Sequence, residues 1–447
     1  MKRELHAAKT IGGEISVPGD KSIAQRVALL SILADDDLIV KNYPSGLDPK
    51  TALSVAQRFG VQTAGQASRI VLGPPDSINL PPETIIDCGN SGTTARLLSG
   101  IVAGRELDVI IAGDESLSRR PMKRIVAPLT AMGADVLDTD GHLPMTVRGR
   151  TLLPFEYTLP VPSAQVKSAV LLAGVSSGCS VVVREKQLSR DHTELLLQHL
   201  GVDLKVTDIK PVLQDDPNDP RKRVRVMPEE YKREFSLPPD ARIVGGEVDI
   251  PGDFSTAAYF FTLAAISGHT ITVSGVGLNP SRTAFLDHLK AIGCKVVVSD
   301  KEVVSGEARG TVSVTGGSLK ARRVAGETIV GLIDEIPLVA LLGAVSEGTT
   351  IIRDAAELRV KECDRLQAMA DNLSKMGVSC GLLDDGLAIE GRPELGGSDF
   401  VTYDDHRIAM TCAIAAQIAV GPSTIDDDTC AAVSCPEFFD LLAKVTA

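Results

Sequence analysis

At 447 residues the chain is longer than one hydrophobic core usually organises, so two domains are expected. Hydrophobic residues at 44% and charged residues at 23% are ordinary globular proportions and argue against disorder. The 46 Lys and Arg against 58 Asp and Glu leave a net charge of −12, and aromatics reach only 3% with no tryptophan, so a nucleic-acid surface lacks both its basic field and its stacking platforms.

No apolar run nears the roughly 18 residues a membrane span needs. The start, Met1 to His6, leads into no secretory signal, and a cytoplasmic location is expected. The eight cysteines are scattered without a C-x-x-C pair, so a zinc site or disulfide framework has little support, and free, mostly buried thiols are the plainer reading.

In chain order, the first pattern is Val17-Pro18-Gly19-Asp20-Lys21-Ser22. It opens an amphipathic helix with Ile23, Val27 and Leu30 on one face. A β-rich strand follows at Leu38 to Lys41, then Asp48-Pro49 as an N-cap with proline at the first helical position. That second helix ends at Gly60. The same order returns at Ile250-Pro251-Gly252-Asp253-Phe254-Ser255, with a strand at Ile271 to Val273 and a helix from Pro280 to Gly293. Two echoes in one order mark a duplicated unit.

Weaker copies of the helix end occur at Gly133, Gly201 and Gly377, and Pro436 to Val445 would close a sixth. Six helix–strand–helix units, three per domain, give an α/β class. A polar, proline-rich insert, Pro211 to Pro239, reads as an excursion near the domain junction.

The first helix of each copy opens with polar residues: Asp20-Lys21-Ser22, Asn90-Ser91-Gly92, Ser163-Ala164-Gln165, Asp253, Asp334-Glu335 and Asp405-His406-Arg407. Most are explained as N-caps. The cations are not, because Lys21 and Arg407 sit where the helix dipole disfavours positive charge. Arg119 to Arg124 holds four cations in six residues. Lys361 and Arg365 read as a like-charge pair at i, i+4 on one helix, costly by a few tenths of a kcal/mol unless an anion bridges them. Such clusters in an acidic chain point to a small, multiply charged ligand. Nucleotide motifs fail: Gly19-Asp20-Lys21-Ser22 lacks the rest of a P-loop, and Pro280 stands where a dinucleotide fingerprint needs glycine.

Seven motifs then fall in one order along residues 17 to 407. They are Pro18 to Ser22 with Arg26, Gly89 to Thr94 with Arg96, Arg120-Pro121-Met122, Ser163 to Ser168, Ser189 to Glu194, Arg359 to Leu366 and Asp405-His406-Arg407. Together they resemble the 5-enolpyruvylshikimate-3-phosphate synthase family of enolpyruvyl transferases. The resemblance implies two domains of three βαβαββ units each, with the active site in the cleft between them. It places residues 20–250 in an N-terminal domain on the shikimate 3-phosphate side, and residues 1–19 with 251–447 in a C-terminal domain.

The implied reaction moves the enolpyruvyl group of phosphoenolpyruvate to the 5-hydroxyl of shikimate 3-phosphate, releasing phosphate by C–O cleavage through a tetrahedral intermediate. No cofactor and no metal are implied, and a monomer is expected. By resemblance Lys21, Gly92 through its backbone, Arg120, Gln165, Arg365 and Arg407 hold phosphoenolpyruvate. Lys21, Ser22, Arg26, Ser163, Gln165, Arg190, Asp334 and Lys361 hold shikimate 3-phosphate. Asp334 is implied as the base at the 5-hydroxyl and Glu362 as the acid at the methylene. Which of Asp334, Glu362 and Lys21 moves which proton stays open, since a carboxylate among so many cations should be ionised, which suits a base better than an acid.

Three positions depart from the family pattern. Ala164 replaces a second serine, Val433 stands where some members carry a phosphoenolpyruvate-binding lysine, and His192 where some stack a tyrosine. The rival reading, a transferase acting on UDP-N-acetylglucosamine, requires a lysine–asparagine pair at Lys21-Ser22 and a cysteine between Ala112 and Pro121, and neither is present. A non-catalytic anion-binding module is the other alternative. The joint presence of Asp334 and Glu362 argues against it, since binding alone favours fewer carboxylates.

Overall fold

The two Pro-Gly-Asp echoes lie side by side. In the computed structural model, which describes residues 1–66, 68–216 and 219–446 (with the side chains of 213–222 and 224–226 outside the description), Gly19 pairs antiparallel with Gly252. Asp20 N donates to Pro251 O and Asp253 N to Pro18 O, both at 2.8 Å. Here the chain passes between two halves. The strand Gly13–Ser16 pairs with Thr270–Gly277, while Gly246–Asp249 pairs with Leu38–Lys41. Two separate cores result, one built from Ile23 through Ile250, the other from Ile15, Val17 and then Phe254 through Val445.

The expected α/β class holds. Five sheets among the described residues repeat one order, a strand parallel to its neighbour followed by two antiparallel strands. In the second of these, Thr84–Asp87 runs parallel to Asp108–Ala112, which pairs antiparallel with His142–Arg148, and that strand with Asp135–Thr139. A three-stranded sheet joins Asp399–Phe400, Ser423–Ile425 and Arg3–Leu5. The helix ends expected at Gly60, Gly133, Gly201, Gly293 and Gly377 all turn through positive φ.

Some boundaries differ from the sequence reading. Leu47–Arg58 starts one residue before Asp48, and the helix expected from Pro280 begins only at Ala284, after a turn in which Asn279 Oδ1 accepts from Ser281 N. The insert is smaller than expected and lies within the third sheet. Val212–Asp216 and Asp219–Val226 form a separate hairpin, and Arg233–Leu237 returns to the sheet with Phe235 and Leu237 buried. The flanking Pro238-Pro239 hid that alternation in the sequence.

Helices form the inside of each half. Phe254–Ser267 and Ile336–Val345 are apolar nearly all round and correspondingly buried. Gly92–Ala103 packs on Ala164–Ser177 so closely that a Cβ on Gly100 would stand 2.1 Å from Ala169 O. Gly100→Ala is expected to force these helices apart and cost about 1–3 kcal/mol, read as a lowered Tm. An unchanged Tm would mean the helices separate freely. The same pair presents Gly92 and Gln165 at its N-terminal ends, so their spacing also sets the site.

Candidate active site

Helix starts from both halves meet across a cavity of about 550 Å³. Lys21–Leu30, Gly92–Ala103 and Ala164–Ser177 bring Lys21, Ser22, Gly92, Ser163 and Gln165 to one wall. Asp334, before Ile336–Val345, and Arg407, in the first turn of His406–Ala416, reach the other. The start at Asp253 is absent from the lining, because its carboxylate accepts from Lys21 N at 3.0 Å. Arg26, Arg120, Arg190, Lys361, Glu362 and Arg365 join the lining, so every residue assigned to catalysis or substrate binding from the sequence faces this cleft.

On the first wall, Asp20, Ser91 and Ser163 cap their helices with their own side chains. Gly92 N donates to Asn90 O at 3.0 Å, so what this residue leaves open is space: a Cβ there would be 2.6 Å from Arg96 Nη1. Arg96 donates to Gln165 Oε1 at 2.9 Å while Gln165 Nε2 donates to Thr93 Oγ1 at 3.0 Å, which orients the Gln165 amide. Arg26 donates to Thr193 Oγ1 at 2.8 Å and to Ser22 O at 2.9 Å. Burial pushes the pKa of both Arg26 and Arg96 down to about 10. Lys21 Nζ bonds Asp48 Oδ2 at 3.0 Å.

The opposite wall is an ion-pair lattice. Asp334 lies 2.6 Å from Arg190 Nη2, 3.4 Å from Arg407 Nη2 and 3.7 Å from Arg365 Nη1. Arg365, 1% exposed, donates to Glu362 at 2.6 Å and to Asp405 at 2.7 Å. Arg120, from the first half, reaches Glu362 at 3.5 Å.

Burial alone would raise both carboxylates, but the cations outweigh it. Arg407, Arg190, Lys361 and Arg365 hold Asp334 well below the usual range, and Arg365, Arg120 and Lys21 do the same for Glu362. His406, buried and beside Lys21 and Arg407, is held well below an ordinary histidine. The lining carries eleven Lys and Arg against six Asp and Glu, so this cleft is positive inside a chain of net charge −12.

The like-charge pair read from Lys361 and Arg365 is not on one helix. A 3-10 turn, Ala356–Val360, stops before Lys361, which is extended, and Arg365–Lys375 starts after Asp364 caps Leu366 and Gln367. Lys361 instead pairs with Glu357 at 3.5 Å, and Glu357 also meets Arg124 of the first half at 3.5 Å.

A family model, EPSP synthase (3-phosphoshikimate 1-carboxyvinyltransferase), matches residues 5–230 and 221–442. The chain is 41% identical to a 3-phosphoshikimate 1-carboxyvinyltransferase of Salinibacter ruber and 38% identical to one of Solibacter usitatus, over the full length of each. It also superposes on EPSP synthase from Acinetobacter baumannii with a TM-score of 0.81, 33% identity, and coverage of 100% of this chain and 98% of that one.

The chain belongs to the EPSP synthase family.

Within this EPSP synthase family member, the three departures take on a structural meaning. Ala164 lines the cleft, whereas Val433 does not. His192 also lies outside the cleft, buried, with Nδ1 2.6 Å from Glu307 Oε1. Asp48 and Asp405 act as counter-ions to Lys21 and Arg365, roles that no local pattern in the sequence marks. Asp48 read only as an N-cap, and Asp405, 0% exposed, carried no signal beyond its place beside His406. Among the described residues no group of three or more His, Cys, Asp or Glu is placed to hold a metal, and no helix is long and apolar enough to cross a membrane.

Proposed function

We propose that this chain transfers the enolpyruvyl group of phosphoenolpyruvate to the 5-hydroxyl of shikimate 3-phosphate, releasing phosphate. The observation that carries the reading is one cleft holding Lys21, Arg120, Arg365 and Arg407 together with two ionised carboxylates, Asp334 and Glu362, in a chain of this family. Lys21, Arg120, Gln165, Arg365 and Arg407 bind phosphoenolpyruvate, with Gly92 leaving room beside Arg96 and Arg120. Ser22, Arg26, Ser163, Gln165, Arg190 and Lys361 bind shikimate 3-phosphate.

Asp334 removes the hydroxyl proton as that oxygen attacks the enol carbon, and its ionised state suits the task. Glu362 gives a proton to the methylene. It acquires that proton when the bound anion offsets the field of Arg120 and Arg365, because a nearby negative charge raises a carboxylate pKa. Loss of phosphate by C–O cleavage then returns one methyl proton to Glu362 and restores the double bond, while the hydroxyl proton held by Asp334 passes to the departing phosphate. Arg120, Arg365 and Arg407 stabilise the charge that builds on the departing phosphate.

The two cores support dividing the chain into residues 20–250 and residues 1–19 with 251–447. The enzyme acts as a cytoplasmic monomer. The test is phosphate release by purified protein with phosphoenolpyruvate and either shikimate 3-phosphate or UDP-N-acetylglucosamine, in EDTA. Release with shikimate 3-phosphate alone is expected. Release with neither acceptor, despite binding of both shikimate-pathway ligands, would leave an anion-binding module.

A further inference from the structure

Arg190 meets Asp334 from a short loop, and the first turn of His192–His199 anchors that loop. Four consecutive residues there are each tied to other elements. Asp191 accepts from Asn279 Nδ2 at 2.9 Å and from Arg233 Nη1 at 3.2 Å. His192 meets Glu307. Thr193 Oγ1 accepts from Arg26 Nε and lies 2.6 Å from Ser168 Oγ. Glu194 stands 3.3 Å from Lys167 Nζ.

Asn279 closes a ring within this group. Its amide nitrogen also donates to Glu307 Oε2 at 3.0 Å, so its two N–H groups serve two carboxylates, Asp191 and Glu307. Asn279, Glu307 and His192 are all 2–3% exposed. Asn279 follows the strand Thr270–Gly277 and Glu307 opens the strand Glu307–Thr315 of the second half, whereas the helix begun at His192 packs Leu196 and Leu197 into the core of the first. The ring therefore spans the two halves. It also sits beside a crossing strand: Asp249 N donates to Ser305 Oγ at 2.9 Å, and a Cβ on Gly306 would come 3.0 Å from Leu195 O.

We propose that Asn279, with Glu307 and His192, is a positioning group for Arg190. From the opposite half it holds Asp191 and His192 so that the guanidinium faces Asp334 across the cleft. Without the Asn279 amide, buried Glu307 and partly buried Asp191 lose their shared donor. Asp191 then turns away and carries Arg190 with it. The inference rests on the enolpyruvyl-transfer reading, in which Arg190 binds the phosphate of shikimate 3-phosphate.

The experiment is a double-mutant cycle on the full chain, with Asn279→Ala and Glu307→Gln each made in wild-type and Arg190→Ala backgrounds. Asn279→Ala is expected to raise KM for shikimate 3-phosphate about tenfold and leave KM for phosphoenolpyruvate within about twofold; in the Arg190→Ala background the same change adds less than about twofold, because the group it positions is gone. Glu307→Gln keeps one oxygen for His192 and is expected to give about a threefold rise. Unchanged KM values with only a lowered Tm, or the same factor in both backgrounds, would overturn the proposal and leave a purely structural network. Should Asn279→Ala not fold, Glu307→Gln carries the cycle. If wild type binds shikimate 3-phosphate without turnover, the function reading fails alone, and the same non-additivity is sought in calorimetric Kd. Absence of that binding in wild type overturns both.

Discussion

Asp334→Ala is expected to lower kcat by about 10³-fold, the scale of a positioned general base, while binding of shikimate 3-phosphate stays measurable by calorimetry. Asp334 lies within 3.7 Å of three guanidinium groups, which hold it ionised and ready to accept a proton. Removing it subtracts a base but also subtracts a negative charge from an anion site. Binding should therefore survive where turnover does not. Wild-type kcat in this variant would remove Asp334 from the mechanism.

Glu362→Gln separates the second carboxylate by its effect on chemistry and on pH dependence. Its kcat is expected to fall by about 10²- to 10³-fold, with KM for phosphoenolpyruvate unchanged or lower, since an amide no longer opposes the incoming anion. Arg365 keeps its bond to Asp405 at 2.7 Å, which limits collapse of the wall. The stability test follows from linkage. In the folded chain Glu362 titrates below its unfolded value of about 4.3. Its contribution is thus fully present above about pH 5 and is lost as the pH falls through the folded value, where the unfolded chain binds more protons. In the variant, the fall of Tm on acidification below pH ~5 should be shallower by one group. Matching acid slopes in the two proteins would show that Glu362 is not held ionised by Arg365 and Arg120.

Much of the site was legible because its signals are local. Polar residues at helix starts, cations where a dipole disfavours them, and the order of seven motifs all lie in short windows, and the catalytic and binding residues assigned from them do line one cleft. Reading failed where a partner is distant in sequence or where an element boundary shifts a face. Lys361 and Arg365 looked like one helical pair, but Asp364 caps a new helix between them and sends the two cations to different partners. The 211–239 insert looked like one excursion because its prolines hid the inward alternation of Phe235 and Leu237.

By itself the sequence determined the α/β class, the internal echo, the helices that open on polar residues, and the chemistry of the residues carried there. These follow from periodicity, capping and composition, which act within a few turns of chain. Only the tertiary structure decided that the two Pro-Gly-Asp echoes pair with each other, that Lys21 takes Asp48 across 27 positions and Arg365 takes Asp405 across 40. It also decided that His192 turns from the cleft to Glu307, 115 residues away. The physical reason is that a repeat specifies which segments fold alike but not which copy meets which. Buried charges find their counter-ions only when packing removes water and leaves each one few neighbours.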